Sequence, residues 1–158
     1  MTIKINHLEQ QSRIMNFYYY WLPPLFLSAG ILIMAGDLGS VAKFTLPVTI
    51  LKSLLPSWSM NEIYQLCGKL RKVGHFMAYA VLFGAYVRAW RWHMRLSRLK
   101  AIFLALAICL LISSGDELRQ SFYASRTGCP QDVALDMSGA FTAAIAFFPF
   151  LRQENLRE

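Results

Sequence analysis

Residues 114–140 read SGDELRQSFYASRTGCPQDVALDMSGA and hold four of the nine acidic residues of the chain. Apolar runs flank this stretch on both sides, residues 99–115 before it and residues 133–151 after it. Both runs are typical of membrane helices, in which ionised side chains are costly unless they are paired or hydrated. We therefore expect the acidic residues of this stretch to mark either a functional site or a paired polar network.

The composition of the chain indicates an integral membrane protein. Of its 158 residues 56% are hydrophobic and 16% are charged, whereas soluble domains have about 25% charged residues. The net charge is +7, but the basic residues punctuate apolar runs and do not line one solvated face. This distribution is typical of membrane flanks and argues against a nucleic-acid partner.

Four apolar segments predict an all-α integral membrane bundle of four transmembrane helices, at residues 17–36, 73–92, 99–115 and 132–151. The first has about 20 uncharged residues, enough to span ~30 Å of hydrocarbon. The second and third have shorter uncharged runs, which arginine stems and interfacial tryptophans extend. The whole chain, residues 1–158, is expected to form a single domain.

Residues 37–72 form a connector between the first two predicted helices. Ser59, followed three residues later by Glu62, matches a capping box and predicts the start of an amphipathic helix. Such a helix lies in the membrane interface, re-enters the bilayer or packs against the bundle. The connector is therefore expected to be partly helical.

The basic residues predict the orientation of the chain in the cytoplasmic membrane. Residues 88–100 carry five Lys or Arg residues and no acid, so the positive-inside rule places this loop in the cytoplasm. Both termini are then also inside. The start of the second helix, the end of the third and the start of the fourth all meet at the outer face.

This topology brings the polar residues that need partners to one surface. A histidine near carboxylates works as an acid or base near neutral pH, and basic side chains hold anions. The catalytic candidates are His75, Asp116, Glu117 and Asp136, and the substrate-binding candidates are Arg71, Lys72, Gln120, Arg126 and Asp132. Asp136 lies too deep for a helix cap, and its candidate partners are His75 and Arg126. No metal ligand is assigned, since the cysteines show no metal-binding spacing, and no cofactor is identified; in an enzyme, His75 and the carboxylates would move protons or hold a metal.

Three blocks carry a resemblance to a known family. They read RKVGHFMAY at residues 71–79, DELRQSF at residues 116–122, and RTG at residues 126–128 continuing through Asp132 and Asp136 to Gly139. In order and spacing they resemble the VanZ-like family of small membrane proteins, with its pattern RKxxHxxxY, DExxQ and RxGxxxDxxxD/NxxG. Arg119 stands where that family often has a histidine, which would alter any chemistry that depended on that imidazole.

The resemblance implies a polytopic membrane protein linked to tolerance of glycopeptide antibiotics such as teicoplanin, and it brings no established reaction. Three hypotheses stay open: a protein that lowers glycopeptide action at the envelope, a membrane enzyme acting on a lipid-linked phosphate or envelope glycan, and a structural or assembly protein. The expected partners are membrane lipid together with a lipid-linked envelope precursor or the antibiotic itself.

Overall fold

The computed structural model describes residues 2–34, 45–122 and 129–152, and these ranges are helical apart from short connections. They contain no strand, so the prediction of an all-α chain is confirmed for them. The helices are α1 (Thr2–Met34), α2 (Thr45–Leu54), α3 (Met60–Arg88), α4 (Arg98–Gln120) and α5 (Pro130–Arg152), and a π-helical turn, Ala89–His93, follows α3.

Three helical segments in the described part of the chain are long and apolar enough to cross a membrane: Gln10–Met34, Arg98–Gln120 and Pro130–Phe150. They mark the chain as a membrane protein. The prediction of four such helices is confirmed for three of them and not for the segment at residues 73–92, which lies mostly in α3. This segment is less apolar because its uncharged run, residues 73–87, is short and is bounded by Arg71, Lys72 and Arg88.

The position of α3 explains its polar residues. It packs against every other helix of the bundle, and Tyr79 and Tyr86 are both buried. A helix at the centre of a bundle turns its polar groups toward neighbouring helices, where hydrogen bonds are available, rather than toward lipid.

The start of α3 follows the predicted capping box. The Ser59 backbone N–H donates to the Glu62 carboxylate at 2.7 Å, and the Glu62 N–H donates to the Ser59 hydroxyl at 3.3 Å. The Ser59 hydroxyl also donates to this carboxylate at 2.8 Å. The hydrogen bonds from the Ser59 N–H and hydroxyl to the carboxylate hold the pKa of Glu62 below its ordinary value. The helix then continues for 29 residues to Arg88, because no proline interrupts it. The predicted connector helix and the second predicted helix are therefore one element.

Large side chains of α3 meet small residues of α4 and α5 in the core. Tyr79, Leu82, Phe83, Tyr86 and Val87 form the α3 side of this core. The opposite side is made largely of small residues: Ala105, Cys109, Ala140 and Ala143. Small residues allow helix backbones to approach closely in membrane bundles.

The closest approach of α3 and α5 occurs at Gly139. A Cβ atom at this position would overlap the carbonyl oxygen of Phe76 and lie 2.9 Å from its carbonyl carbon. The two helices are thus in backbone contact one turn beyond Asp136 and directly beside His75. This contact positions the site described below.

Polar contacts fix α1 to the bundle at three levels. The Ser28 hydroxyl lies 2.9 Å from the Tyr86 hydroxyl, and the Arg119 guanidinium donates to the Leu32 carbonyl at 2.6 Å. A cation is favourable near a helix C-terminus, so Arg119 stabilises the described end of α1. At the opposite end of the bundle the Arg88 guanidinium lies over the Tyr19 ring, 4.2 Å from its centroid.

Candidate functional site

A buried chain of three side chains links α3, α5 and α4. The His75 Nδ1 lies 3.3 Å from the Asp136 Oδ1, and the Ser113 hydroxyl donates to the Asp136 Oδ2 at 2.7 Å. Asp136 is fully buried, whereas the His75 side chain is 25% exposed. The carboxylate therefore has its partners inside the bundle, and the imidazole connects it to the outside.

A second series of hydrogen-bonded side chains lies beside the first. The Arg71 guanidinium donates to the Gln120 side-chain oxygen at 3.4 Å, and the Gln120 amide donates to Asp116 at 3.1 Å. Asp116 and Gln120 are buried and stand four residues apart on one face of α4, which allows this hydrogen bond. Arg71 precedes His75 by one turn of α3, so the two series of side chains lie next to each other.

Tyr79 completes the cluster one turn further along α3. Its side chain is fully buried, and its hydroxyl has no hydrogen-bond partner among the described residues. We call His75, Tyr79, Ser113, Asp116, Gln120 and Asp136, together with Arg71, the polar cluster.

Glu117 has a different role from its neighbour Asp116. Its carboxylate accepts the backbone N–H of Cys129 at 2.7 Å, immediately before α5 begins. Consecutive residues of a helix point to different sides, and α4 continues to Gln120, so Asp116 faces the cluster while Glu117 holds the start of α5. A carboxylate is favoured at a helix N-terminus, and this position fits a structural residue.

Of the remaining predicted residues, the structure describes Asp132 and Lys72. Asp132 is half-buried in the first turn of α5, where its charge suits the helix dipole, and Lys72 is exposed. Arg126 lies outside the described residues. Of the two candidate partners of Asp136, the structure therefore describes His75 in that position.

A groove between α1, α2 and α3 reaches the polar cluster from the side of the bundle. Its volume is about 580 Å³, within the usual ~300–1,000 Å³ range of ligand pockets. Apolar side chains such as Phe26, Ile31 and Leu51 line most of it, and Arg71 and His75 are its basic lining residues. The quarter of His75 that is exposed is thus next to a space large enough for a ligand.

The geometry is suited to proton transfer and anion binding. His75 joins a buried carboxylate to the groove, which is the arrangement of a general acid or base with an orienting partner. Ser113 is not arranged as a nucleophile, because its hydroxyl donates to Asp136 and the imidazole contacts the carboxylate rather than the serine. Within the described residues, no group of three or more His, Cys, Asp or Glu side chains could hold a metal ion.

Sequence reasoning missed the role of Ser113. It stands three residues before Asp116 and seven before Gln120, a spacing that places all three on one face of α4. This pattern was the available signal. A serine in an apolar run carries no charge, however, and its partner Asp136 belongs to another helix.

A family model described as VanZ/LLP1 matches residues 17–152 of the chain. The matched range includes every member of the polar cluster and all three apolar helical segments except the start of the first. No curated protein matches the chain, and no solved structure matches it.

Proposed function

The chain belongs to the VanZ-like family, and from that premise we propose that it lowers the action of glycopeptide antibiotics such as teicoplanin at the cell envelope. In this proposal the polar cluster is the working site of the protein. The link to these antibiotics comes from the family, and the choice of site comes from the geometry of His75 and Asp136.

The proposal includes four crossings of the cytoplasmic membrane, with α3 as the fourth spanning helix. Arg88 and Arg91 at the end of α3 and Arg95, Arg98 and Lys100 after them form the basic loop, which the positive-inside rule assigns to the cytoplasm. Both termini then lie inside and the polar cluster lies near the outer face, where glycopeptides act.

The observation that supports a working site best is the exposure of His75 beside a buried carboxylate. A network that only held helices together would be sealed from lipid and ligand, because unpaired polar groups are costly in the bilayer. Here one end of the network, His75, lines a groove while the other end, Asp136, is fully buried. Ionisable groups of this kind in a membrane segment are functional candidates by default.

The test is teicoplanin susceptibility in a sensitive bacterium that expresses the full chain. We expect His75→Ala to return the minimum inhibitory concentration to that of cells without the protein. The matched control is His93→Ala, because His93 lies at the opposite end of the bundle among Phe17, Tyr20 and Trp21. Both variants are compared at equal membrane abundance, and equal tolerance in the two would contradict the proposal.

A second candidate function is catalysis on a lipid-linked phosphate. The pairing of His75 with Asp136, and the presence of Arg71 one turn away, favour it, because an acid–base residue and an anion-binding guanidinium are then adjacent. We expect release of inorganic phosphate from a polyprenyl diphosphate by the purified protein, and none by Asp136→Asn. If the wild-type protein releases no phosphate, this second candidate function is contradicted.

The third hypothesis, a structural or assembly role, predicts a different outcome for the same variants. His75→Ala and Asp136→Asn would then reduce the amount of folded protein in the membrane rather than its activity. Thermal unfolding of the purified variants separates the two outcomes.

A further inference from the structure

The groove between α1, α2 and α3 has the lining of a site for a hydrocarbon chain. Its lining residues on α3 extend from Cys67 to Tyr79, a rise of about 18 Å at ~1.5 Å per residue. Phe26, Leu27, Ile31 and Met34 form the α1 side. Aliphatic and aromatic side chains along such a length fit an extended chain better than a compact polar ligand.

The charged residues of this groove are basic, although the polar cluster contains carboxylates. Arg71 and His75 line the groove, whereas Asp116, Glu117 and Asp136 do not. The cluster thus presents its basic residues to the groove and its acidic residues to the bundle interior. This distribution favours an anionic occupant.

Arg71 in particular lacks a charged partner within the described residues. Its hydrogen bond goes to the neutral side chain of Gln120, at the long distance of 3.4 Å, and the described residues place no carboxylate within ion-pair distance of it. A guanidinium beside the membrane is stabilised by an anion that accepts two parallel hydrogen bonds, as phosphate does. His75 adds a second polar group one turn deeper along the same wall.

We propose that this groove binds an anionic phospholipid of the bilayer, with its phosphate at Arg71 and His75 and one hydrocarbon chain along α1 and α3. This inference deepens the proposed function by naming the ligand class of the polar cluster, and it rests on that proposal for the position of α1 and α3 in the membrane. The lipid phosphate supplies the counter-charge of Arg71. The depth of the groove favours an anion that carries a hydrocarbon chain.

The test is native mass spectrometry of the purified full chain released from nanodiscs that contain equal amounts of phosphatidylglycerol and phosphatidylcholine with identical acyl chains. We expect the wild-type protein to retain phosphatidylglycerol at least about tenfold over phosphatidylcholine, a ratio typical of one hydrogen-bonded charge. Arg71→Gln is expected to remove that preference. The matched control is Arg88→Gln, at the other end of α3.

A second pair of variants tests the groove without touching a charge. A Cβ atom at Gly74 meets no atom within 4 Å, and Gly74 lines the groove, so we expect Gly74→Leu to add apolar volume to the groove and to remove lipid retention. A Cβ atom at Gly115 also meets no atom within 4 Å, and Gly115 is not a lining residue. Gly115→Leu is therefore expected to retain lipid as the wild-type protein does.

Several results would overturn the inference. Phosphatidylglycerol and phosphatidylcholine both carry a phosphate and differ in net charge. Equal retention of the two lipids by the wild-type protein, or an unchanged preference in Arg71→Gln, therefore contradicts the anionic-lipid site. Unchanged lipid retention in Gly74→Leu contradicts binding in the groove. Displacement of the lipid by millimolar inorganic phosphate would instead assign the site to a free anion. The lipid-binding test uses no antibiotic, so its result is independent of the tolerance test. A protein that retains phosphatidylglycerol but confers no tolerance therefore contradicts the proposed function and leaves the lipid site in place.

Discussion

Gly139→Ala is predicted to separate α3 from α5 and to weaken the His75–Asp136 pair. The new Cβ would lie 2.9 Å from the Phe76 carbonyl carbon, whereas non-bonded carbons pack at about 3.5–4.0 Å, so the helices must move apart by roughly 1 Å. Overpacking costs about 1–3 kcal/mol, and the upper end applies because a backbone carbonyl cannot rotate away. Alanine recovers about 1 kcal/mol of helix propensity, which leaves a net loss of about 2 kcal/mol.

Thermal unfolding of the purified protein in detergent, followed by tryptophan fluorescence, measures this loss. A net loss of about 2 kcal/mol corresponds to a decrease in Tm of roughly 4–8 °C for a chain of this size. The matched controls are Gly74→Ala, where a Cβ meets no atom within 4 Å, and Gly84→Ala, where it meets the Phe147 ring at 3.5 Å. Both should be unchanged or more stable, and a Gly139→Ala protein as stable as Gly74→Ala would refute the backbone contact.

Three further substitutions or titrations test the ends of the helices. Glu117→Ala removes the acceptor at the start of α5 and should cost about 1 kcal/mol in thermal unfolding, as the loss of a helix cap does. Arg119→Ala removes the hydrogen bond to the described end of α1 and should cost about 1 kcal/mol, whereas Lys72→Ala, at an exposed position, should cost nothing measurable. Because the pKa of Glu62 is lowered in the folded chain, its contribution is present above its ordinary pKa and is lost as the pH falls through the lowered value. Amide hydrogen exchange at the first turn of α3 should show this acid-dependent fraying, and Glu62→Gln, which has no group to titrate, should show none of it.

The helical class and the meeting of the site residues follow from patterns that are visible in the sequence. Apolar runs of bilayer length predicted the helices, and the four-residue spacing of Asp116 and Gln120 predicted that they share a face. The two are joined by a hydrogen bond of 3.1 Å. The capping box at Ser59 and Glu62 was equally visible, because it depends only on residues three apart.

Other features depend on tertiary contacts and had no local signal. Among the described residues, three of the four predicted helices are confirmed as apolar enough to span a membrane. The segment in α3 is not, because Arg71, Lys72 and Arg88 bound its uncharged run. The separate roles of Asp116 and Glu117 depend on where α5 begins, and neither residue indicates that position in the sequence. The contribution of Ser113 required knowing that α4 and α5 bring it to Asp136.

Arg119 shows how a departure from the family pattern is resolved by structure. A histidine at this position would suit a ligand or a proton carrier, and its replacement by arginine raised the question of altered chemistry. Here the guanidinium donates to the carbonyl of Leu32, outside the polar cluster. The substitution therefore leaves the chain from His75 to Ser113 intact.

The most direct test of the polar cluster as a working site is Asp136→Asn, scored for teicoplanin tolerance and for Tm in the same preparations. Asparagine keeps the size of the side chain and can still accept the hydrogen bond from Ser113, but it cannot carry the charge that pairs with His75. We predict that tolerance is lost while the Tm stays within a few degrees of the wild-type value. Full tolerance at an unchanged Tm, or a loss of tolerance only together with the folded protein, would contradict the account.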